Sequence, residues 1–358
     1  MVIFFILDFW GENDKIKIIN TAYSIYWIPA GVYPRENGDG NDKKMVIELK
    51  IKKNIPLAPL TTFRIGGAAK YFIEVANKED LVEAIEWAKK EKEPIYCLGG
   101  GSNLLIADEG LAGLVIRFAN REAVNLSPRF SCGAGASLAY VISLTRSAGL
   151  SGLEWGFGIP QATIGGCIRG NAGGFGMDTS SVIETVEAYN LKKGRWEIFS
   201  QKDCRFGYRS SIFKTDPDLI IWSATLKLNP TPAEEINKLV DANMQKRDIS
   251  QPRLPNAGCA FKNLFLDDIR KANPQFAEFI DEQGVAKSGK VGAGYLIDLH
   301  GLKGKAVGGA KISLEHANFI VNTGHATAKD VMELVDFVKK EILVRFKVEL
   351  EEEIVILK

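Results

Sequence analysis

The chain is poor in the residues that usually hold metals or carry disulfides. Its three histidines, His300, His316 and His325, are too few and too badly spaced for a metal triad. Its five cysteines, Cys97, Cys132, Cys167, Cys204 and Cys259, are odd in number and form no Cys-x-x-Cys pair. That pattern argues against a disulfide framework or a zinc site and fits a reducing cytoplasm. No metal is expected. No apolar run reaches the roughly 18 residues that a membrane span requires. Charge of one sign is missing too: 45 Lys and Arg stand against 44 Asp and Glu, a formal net charge of +1. So weak a field makes nucleic acid an unsuitable main partner. No solenoid-period repeat, no low-complexity tract and no sign of an obligate protein partner is present.

What is present is an ordinary soluble composition, 46% apolar and 25% charged over 358 residues, enough for two or three domains. Met1 to Trp10 is apolar but carries Asp8 and lacks a basic leader, so it does not read as a signal peptide. Residues 34–44 are polar and glycine-bearing, like a linker. Met45 then opens an alternating segment. Residues 1–44 are therefore expected to be an extension of unknown role, with Met45 a candidate true start.

Glycine is the informative residue. Tyr96-Cys97-Leu98-Gly99-Gly100-Gly101-Ser102-Asn103-Leu104 follows an apolar strand, and a second glycine-dense loop is expected from Gly165-Gly166 to Asn171-Ala172-Gly173-Gly174. Without a Cβ, backbone N–H groups approach a phosphate closely, and glycine supplies the positive-φ turns that aim several of them at one anion. Two such stretches suggest a pyrophosphate held from two sides, hence a dinucleotide.

Periodicity places the motifs. Lys70 to Val75 reads as a strand, and Asn77 caps a helix whose inner face is Leu81, Ala84, Ile85 and Ala88. Pro94 to Leu98 returns to strand, making 68–120 a small α/β unit. From 111 to 228 short apolar runs alternate with turns around a helix near 137–148. Pro230 to Ile236 marks a boundary, and Glu234 to Lys246 looks helical. Thr327 and Asp330 cap a last helix with the stripe Val331, Leu334, Val335, Val338 and Ile342, and a closing strand is expected over Val348 to Leu357.

The triple-glycine loop lacks the G-x-G-x-x-G spacing of a dinucleotide fingerprint and the Gly-Lys-Ser/Thr of a P-loop. Alone it is either a phosphate nest or a structural turn. Its company is more specific. In order along the chain come Thr61-Thr62-Phe63-Arg64-Ile65-Gly66-Gly67, Leu98 to Leu104, Gly158-Ile159-Pro160 with Ile164-Gly165-Gly166 and Asn171-Ala172-Gly173, Tyr208-Arg209-Ser210-Ser211-Ile212-Phe213-Lys214, Ala257-Gly258-Cys259-Ala260-Phe261-Lys262-Asn263, Ala293-Gly294-Tyr295-Leu296-Ile297, His316-Ala317-Asn318-Phe319, and Leu350-Glu351-Glu352-Glu353. From about Asn54 to Leu357 the chain resembles the UDP-N-acetylenolpyruvoylglucosamine reductases, the MurB flavoenzymes, and their shorter subtype in particular.

The resemblance implies an α+β protein: a two-domain FAD-binding fold of the vanillyl-alcohol-oxidase (PCMH) type and a C-terminal α/β substrate domain. The divisions expected are 1–44 extension, 45–110 first FAD-binding subdomain, 111–230 second, and 231–358 substrate domain. It implies tightly but non-covalently bound FAD, NADPH as co-substrate, and reduction of UDP-N-acetylglucosamine enolpyruvate to UDP-N-acetylmuramate in cytoplasmic peptidoglycan precursor synthesis. Hydride from NADPH passes through the flavin to the vinyl carbon, and the resulting enolate needs a cation at its oxygens and a proton at the adjacent carbon. Arg209 matches the catalytic arginine, whose fork suits a carboxylate, and Glu353 the terminal glutamate. Cys259 stands where the family usually has serine; a thiol ionises far below an alcohol, so it is expected to donate a proton readily and to be open to oxidation and alkylation. Matching positions for FAD are Arg64, Gly99, Gly100, Gly101, Ser102, Asn103, Leu104, Thr163, Gly165, Gly166, Asn171 and Gly173. Those for substrate are Tyr208, Lys214, Lys262, His316 and Asn318.

The chain departs from the family pattern at Gln161-Ala162-Thr163, one residue longer and without the glycine after proline, and at Leu264, where a proline is usual. Outside the resemblance blander roles exist. Arg209 suits an ion pair, Cys259 a small buried hydrophobe, the Glu351–Glu353 triplet a solvated face, and His316 with Asn318 the ordering of a turn. Two rival functions follow: a flavin oxidase on the same scaffold, or a non-catalytic nucleotide-sugar-binding relative.

Overall fold

The computed structural model describes residues 50–358. The expected extension and linker, and the start of the segment opened by Met45, lie outside the described residues. Residues Leu49–Lys358 form one compact unit, and no helix among the described residues is long and apolar enough to cross a membrane.

The first layer is a four-stranded mixed sheet. Lys52–Pro56 runs antiparallel to Ala68–Val75, and Leu111–Phe118 lies parallel between Ala68–Val75 and Ile95–Leu98. The helix Lys78–Glu91 starts where expected because the Asn77 side chain accepts the Asp80 N–H at 2.8 Å. Leu81, Ala84, Ile85 and Ala88 are completely buried against the sheet. Each leucine or isoleucine so buried contributes about 1.5–3 kcal/mol of transfer free energy.

The second layer is a five-stranded antiparallel sheet in the order Arg195–Ser200, Ile183–Asn190, Leu219–Lys227, Arg129–Gly133, Ala123–Leu126. The helices Leu138–Ser147 and Ile164–Gly170 flank it, and one continuous core joins the helix 78–91 to both. The second glycine stretch, expected as a loop, is therefore a helix over most of its length. Thr163 caps it by accepting the Gly166 N–H, and Asn171 ends it in the left-handed conformation at φ +41°. Capping at both ends outweighs the helix-weakening glycines.

The helix Ala233–Ser250 leads to a four-stranded antiparallel sheet, Asn256–Cys259, Phe319–Asn322, Ala310–Ile312 and Ala306–Val307. It is backed by Ala328–Phe346, which carries the full capping box of Thr327 and Asp330. Phe63, Ile65 and Leu105 from the N-terminal part are packed into the core of this layer. The expected closing strand is shorter than 348–357: only Val355–Leu357 is a strand, parallel to Leu104–Ile106. Before it, the chain lies along Ala260–Lys262, with Lys262 N–H donating to Glu351 O and Glu353 N–H to Ala260 O, each at 2.8 Å. The chain changes pairing partner between residues 353 and 355, and that change breaks a single long strand.

Candidate active site

Arg209 sits in a tight turn. Gly207 and Ser210 exchange backbone hydrogen bonds at 3.0 and 3.2 Å, and Arg209 between them takes φ +53°. The left-handed conformation costs a residue with a Cβ about 1–2 kcal/mol. Three contacts hold it. Arg209 Nε donates to Glu353 Oε1 at 2.5 Å, its Nη2 to Gly173 O at 3.0 Å, and Lys214 Nζ to Arg209 O at 3.0 Å. The guanidinium lies 5.4 Å from the centre of the Tyr208 ring, with Lys290 Nζ at 4.6 Å from that ring. The Tyr208 hydroxyl accepts the Asn263 N–H at 3.1 Å.

The acidic triplet divides among three cations. Glu351 pairs with Lys262, Glu352 with Lys339 at 2.8 Å and Glu353 with Arg209. The segment is extended and bridged to Phe261 through Glu352. Side chains 351 and 353 therefore share one face and 352 takes the other. The Glu351 side chain is 70% exposed and that of Glu353 only 17%. Burial raises the Glu353 carboxyl above its ordinary value although Arg209, Lys214 and Lys262 oppose the rise. Burial alone would lower Arg209, but the charge of Glu353 outweighs it and the guanidinium stays firmly protonated. Lys214 is lowered by burial and by its neighbours Lys262 and Arg169.

Cys259 ends the strand Asn256–Cys259 opposite Phe319, just after Gly258 at φ +80°. Burial, reinforced by the charge of Glu353, pushes its thiol up to about 12 against the opposing pull of Arg209, Asn318 and Arg247. It stays protonated at neutral pH. Cys259 is partly exposed, and a thiol so placed carries little thiolate at neutral pH, which bears against ready alkylation.

Asn318 is 2% exposed, and its side chain bonds the backbone of Phe261. Its Nδ2 donates to Phe261 O at 2.8 Å and its Oδ1 accepts the Phe261 N–H at 3.0 Å, while its own carbonyl accepts the Ala260 N–H. His316 Nδ1 in turn accepts the Asn318 N–H at 3.2 Å. These contacts tie His316 and Asn318 to the segment that follows Cys259.

The glycine loop is joined to this cluster. Asn103 Nδ2 donates to Glu353 O at 3.0 Å, and the Val355 N–H donates to Asn103 O at 2.9 Å. A Cβ on Gly100 would lie 1.4 Å from Gln161 O, and one on Gly99 2.6 Å from Thr163 Oγ1. The triple-glycine turn thus meets Gln161 and Thr163, just before the second glycine stretch, at distances that only glycine allows. None of the amide N–H groups of Gly99 to Asn103 donates to an acceptor among the described residues. A row of free amides on a glycine turn is what a dinucleotide's phosphates require, so the residues present fit FAD. Gly170 has open space beside its Cα, whereas Gly165 N–H is taken by Ala134 O and Gly166 N–H by Thr163 Oγ1.

Arg209, Cys259, Glu353, Tyr208, Lys214, Lys262 and Asn103 are brought together by these contacts. Arg64 is exposed on its own turn at φ +56°. Asn171 is buried, its Nδ2 donating to Gly207 O at 2.9 Å and to Asp178 Oδ2 at 3.2 Å; it anchors the turn that carries Arg209. Gly173 supplies a carbonyl to Arg209 and closes a small hairpin with Asp178. Sequence reading missed Arg247. It lies in the last turn of the helix 233–250, and a lone arginine at a helix end carries no signal of its own.

Comparison with known proteins agrees with this arrangement. Residues 69–200 match an FAD binding domain, and residues 251–357 match the C-terminal domain of UDP-N-acetylenolpyruvoylglucosamine reductase. The reductase of that name from Synechococcus sp. (strain JA-3-3Ab) is 36% identical over 313 residues, 86% of this chain and 91% of that protein. The one from Caldanaerobacter subterraneus subsp. tengcongensis is 33% identical over 314 residues, 87% and 95%. The crystal structure of the Thermus caldophilus reductase (MurB) superposes with a TM-score of 0.70 at 35% identity, covering 87% of this chain and all of that one.

Proposed function

Since the chain belongs to the UDP-N-acetylenolpyruvoylglucosamine reductase family, and is therefore an FAD-dependent oxidoreductase, we propose that it reduces UDP-N-acetylglucosamine enolpyruvate to UDP-N-acetylmuramate with NADPH as the reductant. The observation that carries the proposal is the joining of three groups. A fixed guanidinium, a buried carboxyl and a protonated thiol meet beside a glycine turn whose amides are free.

FAD, when bound, supplies the hydride. Gly99, Gly100, Gly101, Ser102 and Asn103 would hold its phosphates through their amides, with Thr163, Gly165, Gly166, Leu104 and Arg64 as the further residues that would contact it. Asn171 and Gly173 act through the turn they brace. Arg209 holds the substrate's carboxylate and stabilises the enolate that forms when the double bond accepts hydride; the charge is met by a preorganised donor in a site half shielded from water. Glu353, held toward its neutral form by burial, hydrogen-bonds the same oxygens. Cys259 gives its proton to the carbon next to the carboxylate. Tyr208, Lys214 and Lys262 line the approach and suit the nucleotide-sugar's phosphates. His316 and Asn318 hold the strand of Cys259 in register.

The division at 45–110, 111–230 and 231–358 is retained with its first boundary moved past Phe118, because Leu111–Phe118 completes the first sheet. The setting we assign is the cytoplasm, where NADPH and the nucleotide sugar are available and five free thiols stay reduced. The test is anaerobic. Mixing the purified protein with NADPH should bleach the flavin, and adding the enolpyruvate substrate should restore its colour. Bleaching without substrate-driven recovery would remove the substrate assignment, and failure to bind FAD would remove the whole proposal.

A further inference from the structure

We propose that Thr62 is a positioning residue that fastens the strand carrying Cys259 to the glycine turn, so that the cofactor's seat and the proton donor keep one spacing. The inference rests on Cys259 as the donor and on the turn as the FAD site. Of two adjacent threonines, only one reaches across the molecule. Thr61 stays local, its Oγ1 donating to Ala58 O at 3.1 Å and accepting the Arg64 N–H at 3.1 Å. Thr62 is half-buried, and its two donors serve two different segments. Its N–H donates to Gly101 O at 3.2 Å, and its Oγ1 donates to Asn256 O, 194 residues away, at 2.7 Å. Phe63 follows in the core, and its carbonyl accepts Asn322 Nδ2 from the neighbouring strand at 3.2 Å.

The Cys259 strand needs such a fastener because its ladder is interrupted. Asn256 pairs with Val321 and Cys259 with Phe319, so Ala257 and Gly258 together stand opposite Ile320 alone. That is a β-bulge, which bends a strand and re-aims the side chains beside it. Gly258 takes φ +80° with open space where a Cβ would point, so conformation and not crowding asks for glycine there. Asn256 closes the bulge from its own side chain: Oδ1 accepts the Gly258 N–H at 2.9 Å and Nδ2 donates to Leu254 O at 2.8 Å. The Thr62 hydroxyl holds the carbonyl of that same Asn256. At the other end Gly101 is packed tightly, since a Cβ there would lie 2.3 Å from Leu60 O and 2.8 Å from Thr61 Cα. Without the hydroxyl the bulge keeps its internal bonds but loses its tie to the turn. Cys259 then shifts relative to the carbon it must protonate, and small misplacements of a reacting group cost rate steeply.

The test compares FAD-loaded wild type with Thr62→Val and Thr62→Ala, which lose the hydroxyl, and Thr62→Ser, which keeps it; all three keep the N–H bond to Gly101 O. Substrate-driven flavin reoxidation should slow about tenfold in the valine and alanine variants, the rate equivalent of one lost hydrogen bond, and recover in the serine variant. Bleaching by NADPH should change little in any of them. The double variant Cys259→Ala/Thr62→Ala should be no slower than Cys259→Ala alone. Peptide-resolved hydrogen exchange over residues 256–263 should quicken in the valine and alanine variants and return to the wild-type rate in serine. Wild-type reoxidation in both hydroxyl-free variants, an equal slowing of both half-reactions, or an equal loss in the Cys259→Ala background would each overturn the inference. Reoxidation of Cys259→Ala at the wild-type rate would instead remove the donor reading, and the exchange measurement would still decide whether Thr62 holds the strand.

Discussion

Arg209 and Glu353 are 144 residues apart in the chain and share a hydrogen bond of 2.5 Å, the one on a strained turn and the other on the extended C-terminal segment. Both side chains are mostly buried, 22% and 17% exposed. This pair therefore differs from an exposed ion pair, whose typical worth is about 0–1 kcal/mol. Removing one partner leaves the other charge uncompensated.

Arg209→Lys keeps a positive charge but loses the planar fork and the bond to Gly173 O. Substrate-driven flavin reoxidation should fall by about 10²–10³, the loss seen when a preorganised oxyanion donor is removed, while reduction by NADPH changes little. Stopped-flow traces of the two half-reactions separate these effects. Equal losses in both would deny Arg209 its role at the enolate.

Glu353 titrates upward of an ordinary glutamate because it is buried. Its protonated form is the hydrogen-bond donor, so the substrate half-reaction should be faster below that raised pKa and decline as pH rises through it. Glu353→Gln cannot ionise, and its pH–rate profile should lack that limb while lying lower overall. A limb that persists in Glu353→Gln would belong to another group.

Cys259→Ser restores the usual residue of the family and should keep turnover within about an order of magnitude, whereas Cys259→Ala should lose about 10²–10⁴, the usual contribution of a positioned general acid. Turnover by the alanine variant at the wild-type rate would show that the proton comes from elsewhere.

Gly100→Ala places a methyl group 1.4 Å from Gln161 O, and backbone on both sides prevents relief. The loops 99–101 and 161–163 must separate, so the purified variant should carry little FAD and melt several degrees lower, as about 1–3 kcal/mol of overpacking strain would cause. Flavin content by absorbance and a melting curve measure both. Full FAD occupancy would mean that the contact of loop 99–101 with 161–163 is dispensable.

His316 is held below its ordinary pKa, by burial first and then by Lys303, and its Nδ1 accepts the Asn318 N–H. The unfolded chain therefore binds a proton at a higher pH than the folded one. The sign follows: the folded state has the advantage above the ordinary histidine pKa of about 6.5 and loses it as pH falls below that value. Melting temperature should drop more steeply on acidification in wild type than in His316→Gln. Parallel curves would assign the acid sensitivity elsewhere.

Local physics wrote much of this protein into its sequence. The Asn77 and Thr327 caps and the apolar stripe of helix 328–346 specify elements from residues within a few positions of each other. Glycine at 99–101 announces a backbone that must approach something closely, and the ordered motifs carry the family. None of that information depends on a partner far away in the chain.

Tertiary structure decided the rest, because the deciding contacts join residues that no local period relates. Which member of the Glu351–Glu353 triplet faces Arg209 was fixed by pairing with Ala260–Lys262, since a shift of one residue would turn the wrong carboxylate inward. The bond from Asn103 to Glu353 O spans 250 residues, and the bond from Arg247 Nη2 to Trp155 O spans 92. Burial likewise pushes the Cys259 thiol up to about 12. The residue's identity is a property of the sequence, but the free energy of its charge is a property of its surroundings.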